Sequence, residues 1–299
     1  MFEGFENKIV KIGDVEINLK ISEPINANNA QKPALLLLHG YPQTHVIWHK
    51  IAPQLAKTHI VVAPDLRGYG DSSKPKSDDA HLAYSKREMA KDQINLMQTL
   101  GFDSFSVVGH DRGARVAHRL VRDHPNSIKK IAVLDIAPTE VMYGETDKTF
   151  ATAYYHWFFL IQPFPLPERM IGADAEFYIS KKLKSWGKTN GAITQQAYDE
   201  YLRCFKDPQC VHASCEDYRA AATIDLVHDK ENKDQKIDHP LLALWGKEGF
   251  VGNNYDVLES WRQYATNVSG HGVPGGHYLP EEAPQETLTA LQQFLSDDV

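Results

Sequence analysis

The stretch VVGHDRGARVAHRL, residues 107–120, decides the fold. Gly109, Asp111 and Gly113 keep the spacing of a G-x-S-x-G nucleophile elbow, the sharp turn that joins a strand to a helix, with a carboxylate at the serine position. Aspartate also caps helices well. A cap, however, needs neither an apolar strand before it nor a glycine two residues away on each side. Asp111 therefore reads as a nucleophile.

Working outward, apolar β-branched runs bounded by turn residues mark strands. NKIVKI and VEINLKI suggest an opening hairpin around Gly13-Asp14, followed by ALLLLHG, HIVVAPD, FSVVGHD, KKIAVLD, LLALWG and TNVSGHG. Several are almost continuously hydrophobic, as in parallel strands covered on both faces. Between them SKREMAKDQINLMQTLG has a serine cap and Gly101 as a stop, and ARVAHRLVRDHP ends before Pro125. Such alternation predicts an α/β fold, a mostly parallel, doubly wound sheet with right-handed crossovers. From Pro138 to Asp229 the patterns are helical only, as in ITQQAYDEYLRCF. The expectation is a core of residues 1–137 and 230–299 carrying a helical cap, 138–229, over the carboxyl ends of the strands, where open sheets of this kind bind ligands. The charged run DKENKDQKIDH reads as a solvated connection.

A hydrophobic content of 42% is enough for a sizeable core, and the net charge of −7 disfavours nucleic acid or an anionic membrane as partner. No stretch approaches the ~20 apolar residues of a membrane span, and MFEGFENKIV lacks the pattern of a signal peptide. Cys204, Cys210 and Cys215 cannot all pair, which points to a reducing, cytoplasmic compartment. Their spacing around His212 is too wide for a usual zinc site, so they read as thiols on a helical segment, and no metal or cofactor is expected.

The order nucleophile, acid, histidine places the base late. His277, in VPGGHYLPEEAP, lies beyond the last strand after two glycines; His271 falls within that strand and reads as buried and structural. His39 and His110 flank turns and suit loop hydrogen bonding. For the acid, Asp135 at the end of KKIAVLD is favoured, because a desolvated carboxylate there needs a partner such as histidine; Glu248 in LWGKEGFVG is the alternative. The backbone N–H groups of Tyr41 and Arg112 would form an oxyanion hole.

An aspartate nucleophile attacks saturated carbon, displacing halide or opening an epoxide, and leaves an ester on itself. Arg112 and Arg115 stand three apart, on one helix face, in the first turn, where the helix dipole disfavours cations. They read as a carboxylate clamp beside the nucleophile. An epoxide hydrolase, with Tyr154, Tyr155 or Tyr218 as proton donors, would have no use for them.

Taken together, HGYPQTHVIWHKIAP, DLRGYGDSSKP, GHDRGARVAHRL, YYHWFF, CEDYRAAATIDL and GGHYLPE resemble the fluoroacetate (haloacetate) dehalogenase family of the α/β-hydrolase superfamily, over nearly the whole chain. The resemblance implies Asp111 as nucleophile, His277 as base, Asp135 as acid, and Arg112 and Arg115 on the carboxylate of a small haloacetate. It further implies a halide pocket of His156, Trp157 and Tyr218, with Tyr41 at the substrate, and a homodimer. Adjacent helical residues diverge by about a quarter turn, so His156 and Trp157 can share a pocket only near its axis or at an irregular turn.

Overall fold

The computed structural model describes residues 1–23 and 32–296. Among the described residues, eight strands, numbered in chain order, form one sheet in the order β1-β2-β4-β3-β5-β6-β7-β8. β1 (Glu6–Ile12) and β2 (Val15–Ile21) pair antiparallel, with Ile12 opposite Val15. The two-residue link has Gly13 at φ +56°, the left-handed conformation such a hairpin requires. β3 (Ala34–Leu38), β4 (Ile60–Pro64), β5 (Phe105–His110), β6 (Ile128–Leu134), β7 (Leu241–Gly246) and β8 (Val268–Val273) run parallel to one another, and β4 joins the hairpin by pairing antiparallel with β2. β3, β4 and β5 are buried along their whole length, because helices cover both faces of the sheet.

The helix Lys86–Thr99 begins where the serine signal puts it: the Ser85 hydroxyl accepts from the Glu88 N–H at 3.2 Å, and Gly101 ends the turn at φ +88°. β8 lies as expected, but His271 on it is exposed. The last strand of the sheet is an edge, and Ser269 and His271 both stand exposed on it. The charged run after residue 229 is not wholly solvated either, since Ile237 is buried and bridges to Ala265.

Between β6 and β7 the described chain is helical, from Thr139–Gly144 to Ile224–Glu231. Cys204 lies in the helix Gln195–Phe205, and Cys210 and Cys215 lie in Pro208–Ala222; all three are free and buried.

The elbow constrains its glycines sterically. A Cβ on Gly113 would lie 2.3 Å from the His39 carbonyl oxygen and 2.4 Å from that of Leu38, main-chain atoms of the neighbouring strand that cannot yield cheaply. Gly172, exposed in the helix Leu166–Ala173, has nothing within 4 Å. The same change should therefore have opposite signs. Gly113→Ala is expected to destabilise by about 1–3 kcal/mol through overpacking, whereas Gly172→Ala should gain up to about 1 kcal/mol from helix propensity. Urea midpoints check both; a neutral Gly113→Ala would remove the steric account of the elbow.

Candidate active site

Asp111 sits between β5 and the helix Arg112–Asp123 at φ 47°, ψ −115°. That positive φ is strained for a residue with a Cβ and persists only where the surroundings hold it. The side chain makes no capping bond; its Oδ1 accepts from the Tyr41 N–H at 2.9 Å. The aspartate is thus aimed across the turn at the loop after β3. Gly40 allows this approach, since a Cβ there would lie 2.5 Å from that of Asp111. The Arg112 amide, first of its helix, has no acceptor one turn back.

His277 brings its Nε2 to 3.8 Å from Asp111 Oδ2 and its Nδ1 to 2.6 Å from Asp135 Oδ2. Asp135 Oδ1 accepts from the Gly246 N–H at 2.9 Å, which locks this carboxylate at the end of β6 against the end of β7. Glu248, the alternative acid, is exposed and makes no hydrogen bond to His277 among the described residues. Burial alone would lower the pKa of His277, but the bond to Asp135 and the charges of Asp135 and Asp111 hold it above the ordinary histidine value. Burial alone would raise that of Asp111; the positive surroundings of His277, Arg112 and Arg115 instead hold it below the usual carboxylate range. His110 is pushed down to about 3 by burial and so stays neutral; its Nε2–H donates to the His277 carbonyl at 2.7 Å. His39 likewise binds loop groups, its Nε2 accepting from the Leu66 N–H at 3.0 Å.

A second carboxylate fastens the loop that carries the base. Glu282 Oε2 accepts from the N–H groups of Gly276, Lys188 and Thr189 at 3.0, 2.6 and 2.9 Å, and Oε1 accepts from Tyr278 at 2.8 Å. The His277 N–H donates to the Trp186 carbonyl at 3.1 Å. The histidine loop is therefore bonded to the end of the helix Ala175–Trp186 in the inserted segment. Nothing in the motif GGHYLPEE singles out this role.

Arg112 and Arg115 are both buried beside Asp111. The pair is not simply free to face a ligand. Arg112 donates from Nε to Asp217 Oδ2 at 2.9 Å and from Nη2 to Oδ1 at 2.8 Å, and lies 4.2 Å from the Tyr218 ring centroid. Asp217 also holds Lys86 and accepts from the Tyr69 hydroxyl at 2.7 Å. Arg115 bonds the Ala137 carbonyl at 3.1 Å and the Thr139 hydroxyl at 2.8 Å, and lies 4.8 Å from the Trp157 ring centroid. Arg112 Nη1 and Arg115 Nε have no hydrogen-bond partner among the described residues. Sequence reasoning missed Asp217, although CEDYRAAATIDL contains it.

His156 and Trp157 lie in a one-turn helix, His156–Phe159, entered through a break at Tyr154, so an irregular turn does bring both inward. The His156 ring is stacked with Tyr41 and 5.5 Å from the Tyr218 ring; Trp157 and Tyr218 are 6.4 Å apart. His156 Nδ1 and the Tyr218 hydroxyl have no hydrogen-bond partner among the described residues. Burial, then the Asp111 charge, push Tyr218 well up, so it remains a phenol donor. Burial, then Lys182 and the nearby cations, keep His156 neutral. No cluster of three or more His, Cys, Asp or Glu suited to a metal occurs among the described residues.

Residues 33–284 match the family described as alpha/beta hydrolase fold. The chain is 44% identical over 298 residues to a fluoroacetate dehalogenase from Burkholderia sp, covering 99% of this chain and 96% of that one. It is 32% identical over 268 residues to a soluble epoxide hydrolase from Corynebacterium sp. (strain C12), covering 87% and 89%. Among solved structures, a protein assigned to the α/β hydrolases of Nostoc sp PCC 7120 superposes with a TM-score of 0.95 at 58% identity, covering 99% of each chain. With its eight-stranded sheet, aspartate elbow and late histidine, the chain belongs to the alpha/beta hydrolase fold family.

Proposed function

We propose that this protein is a haloacetate dehalogenase, converting fluoroacetate or a related haloacetate to glycolate and halide. The observation that carries the reading is Arg115: a buried guanidinium beside the nucleophile with no carboxylate partner among the described residues and an unpartnered Nε. An anionic substrate completes it, whereas an uncharged epoxide does not. Tyr155, one of the phenols an epoxide hydrolase could use, is 45% exposed and lies against Lys182.

In the first step an Asp111 oxygen attacks the halogen-bearing carbon, the carbon–halogen bond breaks, and halide leaves toward His156, Trp157 and Tyr218. Fluoride concentrates its charge and needs such donors. In the second, water attacks the Asp111 carboxyl carbon and His277 Nε2 takes its proton. The Tyr41 and Arg112 amides hold the oxyanion. Asp135 keeps the Nδ1 proton in place and stabilises the imidazolium. The ester then cleaves, and glycolate departs with the proton returned by His277.

Residues 138–229 act as the cap in this reading. A cytoplasmic location suits three unpaired thiols. A homodimer suits the exposure of Phe164, Met170 and Phe177, at 67%, 60% and 67%.

His277→Asn should release one halide per enzyme and stop with an ester on Asp111, detected by peptide mass spectrometry. Continued turnover at the wild-type rate would remove His277 as the base.

The two steps should also separate with pH. Hydrolysis needs neutral His277, so its rate is full above the histidine pKa and falls as pH drops through it. Alkylation needs only ionised Asp111, whose pKa is depressed. Forming the ester deletes the Asp111 charge that helps raise His277, so the acid limb of hydrolysis lies below the pKa of the free enzyme. Below that limb the wild type should accumulate the same ester, measured by acid quench; parallel loss of both steps would contradict it.

Arg115→Ala should lower kcat/KM for chloroacetate about 10–100-fold, the worth of a charge-assisted bond. Chloroacetamide should react poorly with wild type and distinguish little between the two enzymes. Equal turnover of acid and amide by wild type would refute the clamp.

A further inference from the structure

Lys182 lies on the helix Ala175–Trp186 and is 2% exposed. No Asp or Glu among the described residues reaches its ammonium. Its neighbours are aromatic: Nζ is 3.6 Å from the ring centroid of Tyr155, 5.0 Å from that of Trp186 and 5.5 Å from that of Tyr178. Ring faces attract a cation but leave it unneutralised. Burial lowers Lys182 to about 7, so an arriving anion would strengthen a charge that the protein itself leaves unbalanced.

The position of this charge gives it meaning. Lys182 lines a cavity of about 480 Å³ that reaches His277. Lys181 and Lys188, both exposed, stand on the same wall, against one carboxylate, Glu248. Trp186 also lines the cavity, its ring 5.5 Å from that of His277 and 4.5 Å from that of His156. The cavity thus offers an anion a surplus of cations on the way to Asp111, in a protein of net charge −7 that otherwise repels it.

We propose that Lys182 is a binding site for small carboxylates at the mouth of the active site, holding the substrate before Arg112 and Arg115 take it over. The proposal rests on the haloacetate reading above. The aromatic box fixes the ammonium in place, so the site costs little ordering when the anion arrives. Its role is in capture; neither alkylation nor hydrolysis needs it.

Lys182→Met keeps the apolar stem and removes the charge. At low ionic strength kcat/KM for chloroacetate should fall about 5–20-fold with kcat within twofold of wild type, while alkylation of Asp111 by uncharged chloroacetamide is unchanged. Added salt should narrow the gap, since screening weakens a charge that only captures. Lys182→Arg should retain most of the rate. Unchanged kcat/KM for chloroacetate, or an equal loss on chloroacetamide, overturns the site. A loss of kcat with kcat/KM intact would place Lys182 in a step after alkylation and overturns the capture role. If Lys182→Met fails to fold by its melting curve, Lys182→Gln is read on the same two substrates with the same outcomes. Normal halide release by wild type with no effect of either variant removes this site alone; absence of halide release from wild type removes the dehalogenase reading and the proposal together.

Discussion

An ionised carboxylate taken out of water is costly unless charges and donors surround it. Asp111 is buried, strained at φ 47° and held charged, and much of the site follows from that constraint. The Tyr41 amide binds one of its oxygens, His277 faces the other, and two guanidiniums stand behind. Those guanidiniums are buried in turn. Asp217, Thr139 and the faces of Tyr218 and Trp157 keep them in place without using every N–H they carry. The result is a carboxylate unable to relax into solvent, surrounded by donors that a second anion can still engage.

The parts of this arrangement legible in the sequence are local ones. Glycine spacing around Asp111, the strand ends that carry Asp135 and precede His277, and the hairpin at Gly13 depend on neighbours a few residues away. Asp217 was not legible because its partners lie far along the chain, Arg112 at a separation of 105 residues and Lys86 at 131. No periodicity encodes such a meeting. His271 was misread for a related reason: a strand pattern shows alternation, whereas burial depends on whether another layer lies over that strand. The pairing of His156 with Trp157 needed a break in the helix, which the run of aromatics conceals.

Relatives with different chemistry share this frame. A dehalogenase at 44% identity and an epoxide hydrolase at 32% both match most of the chain. Fold is therefore a weak discriminator here. In this chain the buried guanidinium of Arg115 stands beside Asp111 without a carboxylate partner among the described residues, and the haloacetate reading proposed above rests on it.

Glu282 carries a consequence for how such a protein can vary. All four groups it binds are main-chain amides, two from the histidine loop and two from the turn after the helix Ala175–Trp186. Every residue but proline brings a main-chain N–H to positions 188 and 189, so any other substitution there leaves the fastening intact. A residue gained or lost in that turn does not, because the amides would no longer converge on one carboxylate. The geometry of this junction thus constrains its length more than its side chains. A helical segment borrowed from a relative can seat the base correctly only if its turn has the same count of residues.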